Sequence, residues 1–249
     1  MIIKNDYLSL EQIADSGQVF RWQKLEDGRY KILSADKMVI AYQQGNEVTI
    51  DSEDSYWENY LILQTDYKKI IDSIDSFDTY LSEAAKVGRG IRILRQDFWE
   101  MLVSFIISQN NNIPRIKKTI ERLCESFGQE KDGYYAFPTR EELLDKDLSD
   151  MGLGYRQKYL EKLIIEYPGI DFTNHHKALL SIVGVGEKVA SCVELFGLHD
   201  LSAFPVDTWM KKVQINQYKG NFSLEHYKEF AGVIQQYLFY YIRREEGKL

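Results

Sequence analysis

The sequence predicts an α+β fold, an N-terminal antiparallel sheet followed by a mostly helical remainder. Three observations carry this. Alternating apolar segments fill residues 20–50, helical spacing takes over from Asp54, and Phe98 to Ile107 is apolar on several faces. Strands expose alternate residues to one face, whereas helices repeat every three to four.

The strands come first. Phe20–Gln23, Arg29–Leu33, Met38–Tyr42 and Glu47–Ile50 are separated by turn residues, and Asp27-Gly28 is a strong hairpin signal. Trp57, Tyr60 and Leu61, then Ile70, Ile71 and Ile74, follow at helical spacing, and Lys86-Val87-Gly88-Arg89-Gly90 reads as a linker. The expected division is a sheet domain over residues 1–88 and a helical region over residues 89–249. Within the latter, Phe98 to Ile107 is expected to form a buried central helix.

Composition bounds the rest. Of 249 residues, 44% are hydrophobic, which suffices for a packed core. No apolar run approaches the ~20 residues of a membrane helix. Two cysteines, Cys124 and Cys192, argue against a disulfide framework and point to a reducing cytoplasm. The four histidines show no ligand spacing, so no side-chain metal site is expected. A net charge of −7 opposes nonspecific DNA binding, so any DNA contact must rest on a local basic face and on helix N-termini.

The chemistry concentrates in residues 180–208. Leu180, Ile182 and Val183 lead into Gly184-Val185-Gly186, after which Val189, Cys192, Val193 and Phe196 recur at helical spacing. This is a tight hairpin opening a helix. Its unpartnered N–H groups carry the positive end of the dipole and suit a phosphate. Lys188 sits in that first turn, where the dipole opposes an ammonium and favours the neutral, nucleophilic amine. Asp207, 19 residues on, precedes Thr208-Trp209-Met210 as a helix N-cap and can converge on Lys188 across one helix and a loop. Each residue also has a plain role: helix corner, solvated lysine, simple cap.

The run from Leu180 to Asp207 resembles the helix–hairpin–helix plus Gly/Pro–Asp signature of base-excision DNA glycosylases, and most narrowly the 8-oxoguanine DNA glycosylase/AP lyase family. Further matches follow in family order: Gly17-Gln18-Val19-Phe20-Arg21-Trp22, Asn110-Asn111-Asn112-Ile113-Pro114-Arg115, Leu153-Gly154-Tyr155-Arg156, and Gln235 with Phe239. Val183 stands where the family often has proline, and Trp209 where some members have a phosphate-touching histidine.

The resemblance implies two mostly helical subdomains with a helix–hairpin–helix near residues 175–198. It implies Lys188 as the nucleophile and Asp207 as its acidic partner. Gly17, Cys192, Phe196, Gln235 and Phe239 would form the damaged-base pocket, the Gly17 carbonyl accepting the N7 hydrogen that oxidised guanine carries. Asn110, Arg115, Tyr155 and Arg156 would fill the gap and hold the opposite base, normally cytosine. Gly184, Gly186 and Val189 would meet the DNA backbone. The carbonyls of Leu180, Ile182 and Val185 could hold a cation. No cofactor is expected, and two cysteines cannot ligate a four-cysteine iron–sulfur cluster. The implied partner is double-stranded DNA containing oxidised guanine, bound by a monomer in a prokaryote-like cytoplasm at the nucleoid, with no membrane involved. Two alternatives stay open: a glycosylase of this fold for another damaged purine, and a non-catalytic DNA-binding or lesion-sensing protein.

Overall fold

A computed structural model describes residues 1–249. Five antiparallel strands, β1 (Ile2–Lys4), β2 (Trp22–Lys24), β3 (Tyr30–Ser34), β4 (Lys37–Gln44) and β5 (Glu47–Ile50), lie in the order β1-β5-β4-β3-β2. Tyr30 pairs with Ala41 and Ile32 with Val39, so alternate side chains of β3 and β4 share one buried face. That face packs on Leu10 and Ile13 of α1 (Leu10–Asp15) and on Trp57 and Tyr60 of α2 (Tyr56–Tyr60).

The strand expected to begin at Phe20 begins at Trp22. Phe20 instead joins the helical core, edge-on to Phe105 with centroids 5.5 Å apart. The strand β1 was not foreseen, because three residues are too few to show alternation and its partner β5 is remote in sequence.

The larger core gathers around α5 (Phe98–Ser108), whose residues from Glu100 to Ile107 are all buried. It is enclosed by α6 (Ile113–Phe127), α8 (Arg156–Glu166) and α10 (Glu187–Gly197). A small hairpin, β6 (Glu130–Lys131) with β7 (Tyr134–Tyr135), interrupts the region read as helix. The short α7 (Arg140–Leu143) and α9 (His175–Ser181), then α11 (Thr208–Asn216) and α12 (Ala231–Glu245), complete it. Gly232 lets α12 approach α10: a Cβ there would lie 2.1 Å from a Leu195 methyl.

Packing divides the chain elsewhere than at residue 88. Helices α3 (Tyr67–Asp72) and α4 (Thr79–Val87) contribute Tyr67, Leu81, Ala84 and Ala85 to the helical core, while the sheet core ends at Leu61 and adds only Leu94. The expected linker is pinned. The Gly90 N–H donates to Gln12 Oε1 at 2.8 Å, and Gly90 O accepts from the Ser9 N–H at 2.9 Å. Buried Arg92 donates to the carbonyls of Leu61, Ile62 and Thr65, and Arg21 pairs with Glu100 at 3.4 Å. These contacts lock the segment carrying Gly17 against the helices. No helix is long and apolar enough to cross a membrane.

Candidate active site at the hairpin and the C-terminal helix

The hairpin between α9 and α10 is built around a backbone that only glycine fits easily. Gly184 has φ +88°, and a Cβ there would lie 2.3 Å from the Tyr159 ring. Gly186 is the N-cap of α10 and supplies no capping side chain. The helix's first internal bond runs from Ala190 N–H to Gly186 O, so the N–H groups of Glu187, Lys188 and Val189 have no backbone partner. A Cβ on Gly186 would meet nothing within 4 Å, so its surface is open to a ligand. The Val189 side chain is buried, leaving its N–H as the group that can reach a phosphate. Of the three carbonyls considered for a cation, that of Ile182 accepts the Val185 N–H at 3.0 Å and closes the turn.

Lys188 turns inward from this helix start and is half-buried. Its Nζ lies 5.3 Å from the centre of the Phe105 ring. It forms no ion pair. Asp207 is the N-cap of α11, accepting from the Met210 N–H at 2.9 Å. Cys192, one turn along α10, reports on both. Burial pushes its thiol up, the Lys188 ammonium beside it pulls it back, and the Asp207 carboxylate raises it again. The amine and the carboxylate thus both act electrostatically on the Cys192 thiol.

Helix α12 closes the other side. Gln235 is buried and accepts from Gln236 Nε2 at 3.0 Å through its Oε1. Phe239 is the one residue between Ala231 and Tyr240 that is not buried. Gly17, with φ +82°, lies against it: a Cβ on Gly17 would stand 3.1 Å from Phe239 Cε1. Phe196 departs from the expected pocket. It is 3% exposed and stacked on Phe105 at 5.5 Å, a core ring one layer behind the amine.

The second cluster forms where the turn after α5 meets the start of α8. Asn110 takes a left-handed conformation, φ +45°, and donates from Nδ2 to the Tyr155 hydroxyl at 3.0 Å. Tyr155 is 45% exposed. Arg115 is exposed, with one long contact of 3.5 Å to Gly152 O. Arg156 is neither solvated nor free. It is 5% exposed and donates to the carbonyls of Gln109, Asn110 (3.0 Å) and Leu153 (3.1 Å), its guanidinium over the Tyr155 ring. In this structure it holds the Asn110 turn in shape.

The profile described as 8-oxoguanine DNA glycosylase, N-terminal domain, matches residues 1–102. A Saccharomyces cerevisiae protein named N-glycosylase/DNA lyase is 31% identical over 280 aligned positions, spanning 92% of this chain and 73% of that one. The chain belongs to the 8-oxoguanine DNA glycosylase/AP lyase family. The Clostridium acetobutylicum 8-oxoguanine glycosylase/lyase, solved with double-stranded DNA containing cytosine opposite the lesion, superposes with a TM-score of 0.88. It is 37% identical, with 99% of this chain and 95% of that one covered. The 3-methyladenine DNA glycosylase of Archaeoglobus fulgidus shares the fold at a TM-score of 0.74 with 18% identity.

Within this family frame, the structure adds two residues that motif reading passed over. Phe105 lies in a helix apolar on several faces, so its position there singles out no one face. Arg243 lies in the last turn of α12, where a basic residue suits the helix dipole and draws no notice.

Proposed function

We propose that the chain is a bifunctional DNA glycosylase and AP lyase that removes 8-oxoguanine opposite cytosine from duplex DNA. The observation that carries this is the half-buried Lys188 amine, set over the Phe105 ring at the uncapped start of α10 and paired with no carboxylate. A non-catalytic binding module has no need of a half-buried amine without an ion pair.

The proposed chemistry begins with the target nucleotide swung out of the stack, so that its base enters the space bounded by Phe239, Cys192 and the Gly17 carbonyl. The N-glycosidic bond breaks, and positive character grows on the sugar, where the Asp207 carboxylate stabilises it. The Lys188 nitrogen bonds to C1′, loses a proton, and the opened sugar becomes a Schiff base. Removal of a C2′ proton then expels the 3′ phosphate and nicks the strand. Water releases the enzyme.

Asn110 and Tyr155 would occupy the vacated stack, with Arg115 and Arg156 toward the opposite base. The N–H groups at Gly186 to Val189 would take a backbone phosphate, and the carbonyls of Leu180, Ile182 and Val185 a cation. The same reading holds the protein to a monomer, without an iron–sulfur cluster, at the nucleoid of a reducing cytoplasm. It treats residues 89–249 as the unit that carries the chemistry and residues 1–88 as the part that presents Gly17.

Single-turnover assays on a panel of duplexes test this. Fastest release is expected from 8-oxoguanine opposite cytosine, with nicking. Preference for an alkylated purine would overturn the lesion assignment, and binding without cleavage would overturn the enzymatic one.

A further inference from the structure

We propose that Arg243 is a positioning residue for base recognition, its guanidinium fixing the slot between the Gly17 carbonyl and the Phe239 ring. This rests on the reading of Gly17 and Phe239 as the walls that receive the extruded purine.

Arg243 is 8% exposed and forms no ion pair, an unusual state for a guanidinium. Burying an unpaired cation is costly unless its donors are satisfied. Here they reach backbone and an aromatic face. Nη1 donates to the Asp15 carbonyl at 3.0 Å, Nη2 to the Lys248 carbonyl at 3.3 Å, and Cζ lies over the Phe239 ring, 5.2 Å from its centre. A Cβ on Gly17 would stand 3.6 Å from the same Nη1. One side chain thus lies over the Phe239 ring and beside the Gly17 backbone.

The loop carrying Gly17 is anchored on its far side. Gln18, fully buried, donates to Arg92 O at 2.9 Å and accepts from the Leu94 N–H at 3.0 Å, while Gln96 Nε2 donates to Gln18 O at 3.0 Å. From the α12 side, Arg243 supplies the hydrogen bond to this loop. Without it, the polar ties of the Gly17 loop run to Arg92, Leu94 and Gln96, and none joins the loop to α12, the helix that carries Phe239. The guanidinium also occupies one face of Phe239, which directs a flat base to the other. Burial lowers the proton affinity of Arg243, partly offset by the carboxylates of Asp15 and then Asp207, so the residue lies within the electrostatic reach of the catalytic aspartate.

A preformed abasic site has no base to hold, so it separates positioning from fold. The experiment compares single-turnover release of 8-oxoguanine with nicking of abasic DNA for Arg243→Met, Arg243→Lys and Phe239→Ala, alongside thermal melting. For Arg243→Met, base release is expected to fall between about 10- and 100-fold while abasic nicking stays within about twofold. Arg243→Lys keeps a donor but not the planar fork, and should recover part of the loss. Unchanged base release, or base release and nicking falling together in both arginine variants, overturns the proposal. Normal base release by Phe239→Ala would instead remove the underlying reading of the slot. Impaired Phe239→Ala with intact Arg243→Met would remove the positioning role alone.

Discussion

The Nζ of Lys188 stands 5.3 Å from the centre of the Phe105 ring, and Phe105 in turn stacks on Phe196 with planes 14° apart. The amine therefore rests on a rigid two-ring floor supplied by the central helix. A lysine side chain has many rotamers, and a surface that limits them shortens the search for a reactive geometry.

Phe105→Leu should keep the fold and slow Schiff-base formation by about tenfold, through looser placement of the amine. Phe105→Ala adds a cavity and a stability loss of about 3–5 kcal/mol. Rapid-quench borohydride trapping measures the first effect and urea denaturation the second. A Phe105→Leu enzyme that traps at the native rate would dismiss the floor.

Asp207 is an N-cap, and the proposed chemistry adds a charge-stabilising role that substitution separates from it. Asparagine caps a helix as well as aspartate, so Asp207→Asn should change stability by only a few tenths of a kcal/mol while slowing base release about 10²–10³-fold. Asp207→Ala should lose the catalytic charge and also about 1 kcal/mol of stability. Single-turnover rates paired with denaturant midpoints check both numbers. An unaltered rate for Asp207→Asn would leave Asp207 as a cap alone.

Arg115 and Arg156 should behave differently although the motifs treat them alike. Arg115 is exposed and barely tethered, so Arg115→Ala should leave stability within about 0.5 kcal/mol and reduce the preference for cytosine opposite the lesion. Arg156→Met strands the Asn110 carbonyl and leaves that of Gln109 with only a long contact to the Tyr155 hydroxyl, and should cost about 1–3 kcal/mol, with weaker DNA binding at every opposite base. Thermal denaturation and excision opposite each of the four bases separate the two patterns.

His199 gives the protein an acid sensitivity. Burial, then the nearby Arg95, lowers its pKa from 6.5 to about 4 in the folded protein. The unfolded chain thus binds the extra proton first as pH falls, and folding stability declines below about pH 6.5, levelling out below about pH 4. At pH 5 the loss is at most about 2 kcal/mol, reduced by the partial exposure of the ring. His199 has φ +56°, which asparagine tolerates, so His199→Asn should flatten the decline without straining the turn. Urea midpoints at pH 7 and pH 5 measure the difference. An equal decline in His199→Asn would assign it to other groups.

Much of this was legible in local sequence. The Asp27-Gly28 hairpin, the mostly apolar Phe98 to Ile107 helix and the glycines at 184 and 186 each impose their structure within a few residues. What the sequence hid depends on distant partners. The three-residue β1 exists because β5 offers it an edge. Arg156 is a buried clamp only because the Asn110 turn presents carbonyls to it. Phe105, Arg243 and Phe196 acquire their positions from the way α5, α10 and α12 pack, and no local spacing encodes that.

The most direct test is borohydride reduction of the protein on a duplex containing 8-oxoguanine opposite cytosine, followed by peptide mapping of the adduct. A covalent protein–DNA complex with the sugar on Lys188 is expected, absent from Lys188→Gln, which should still bind the duplex. No adduct, or an adduct on another lysine with Lys188→Gln nicking normally, would contradict it.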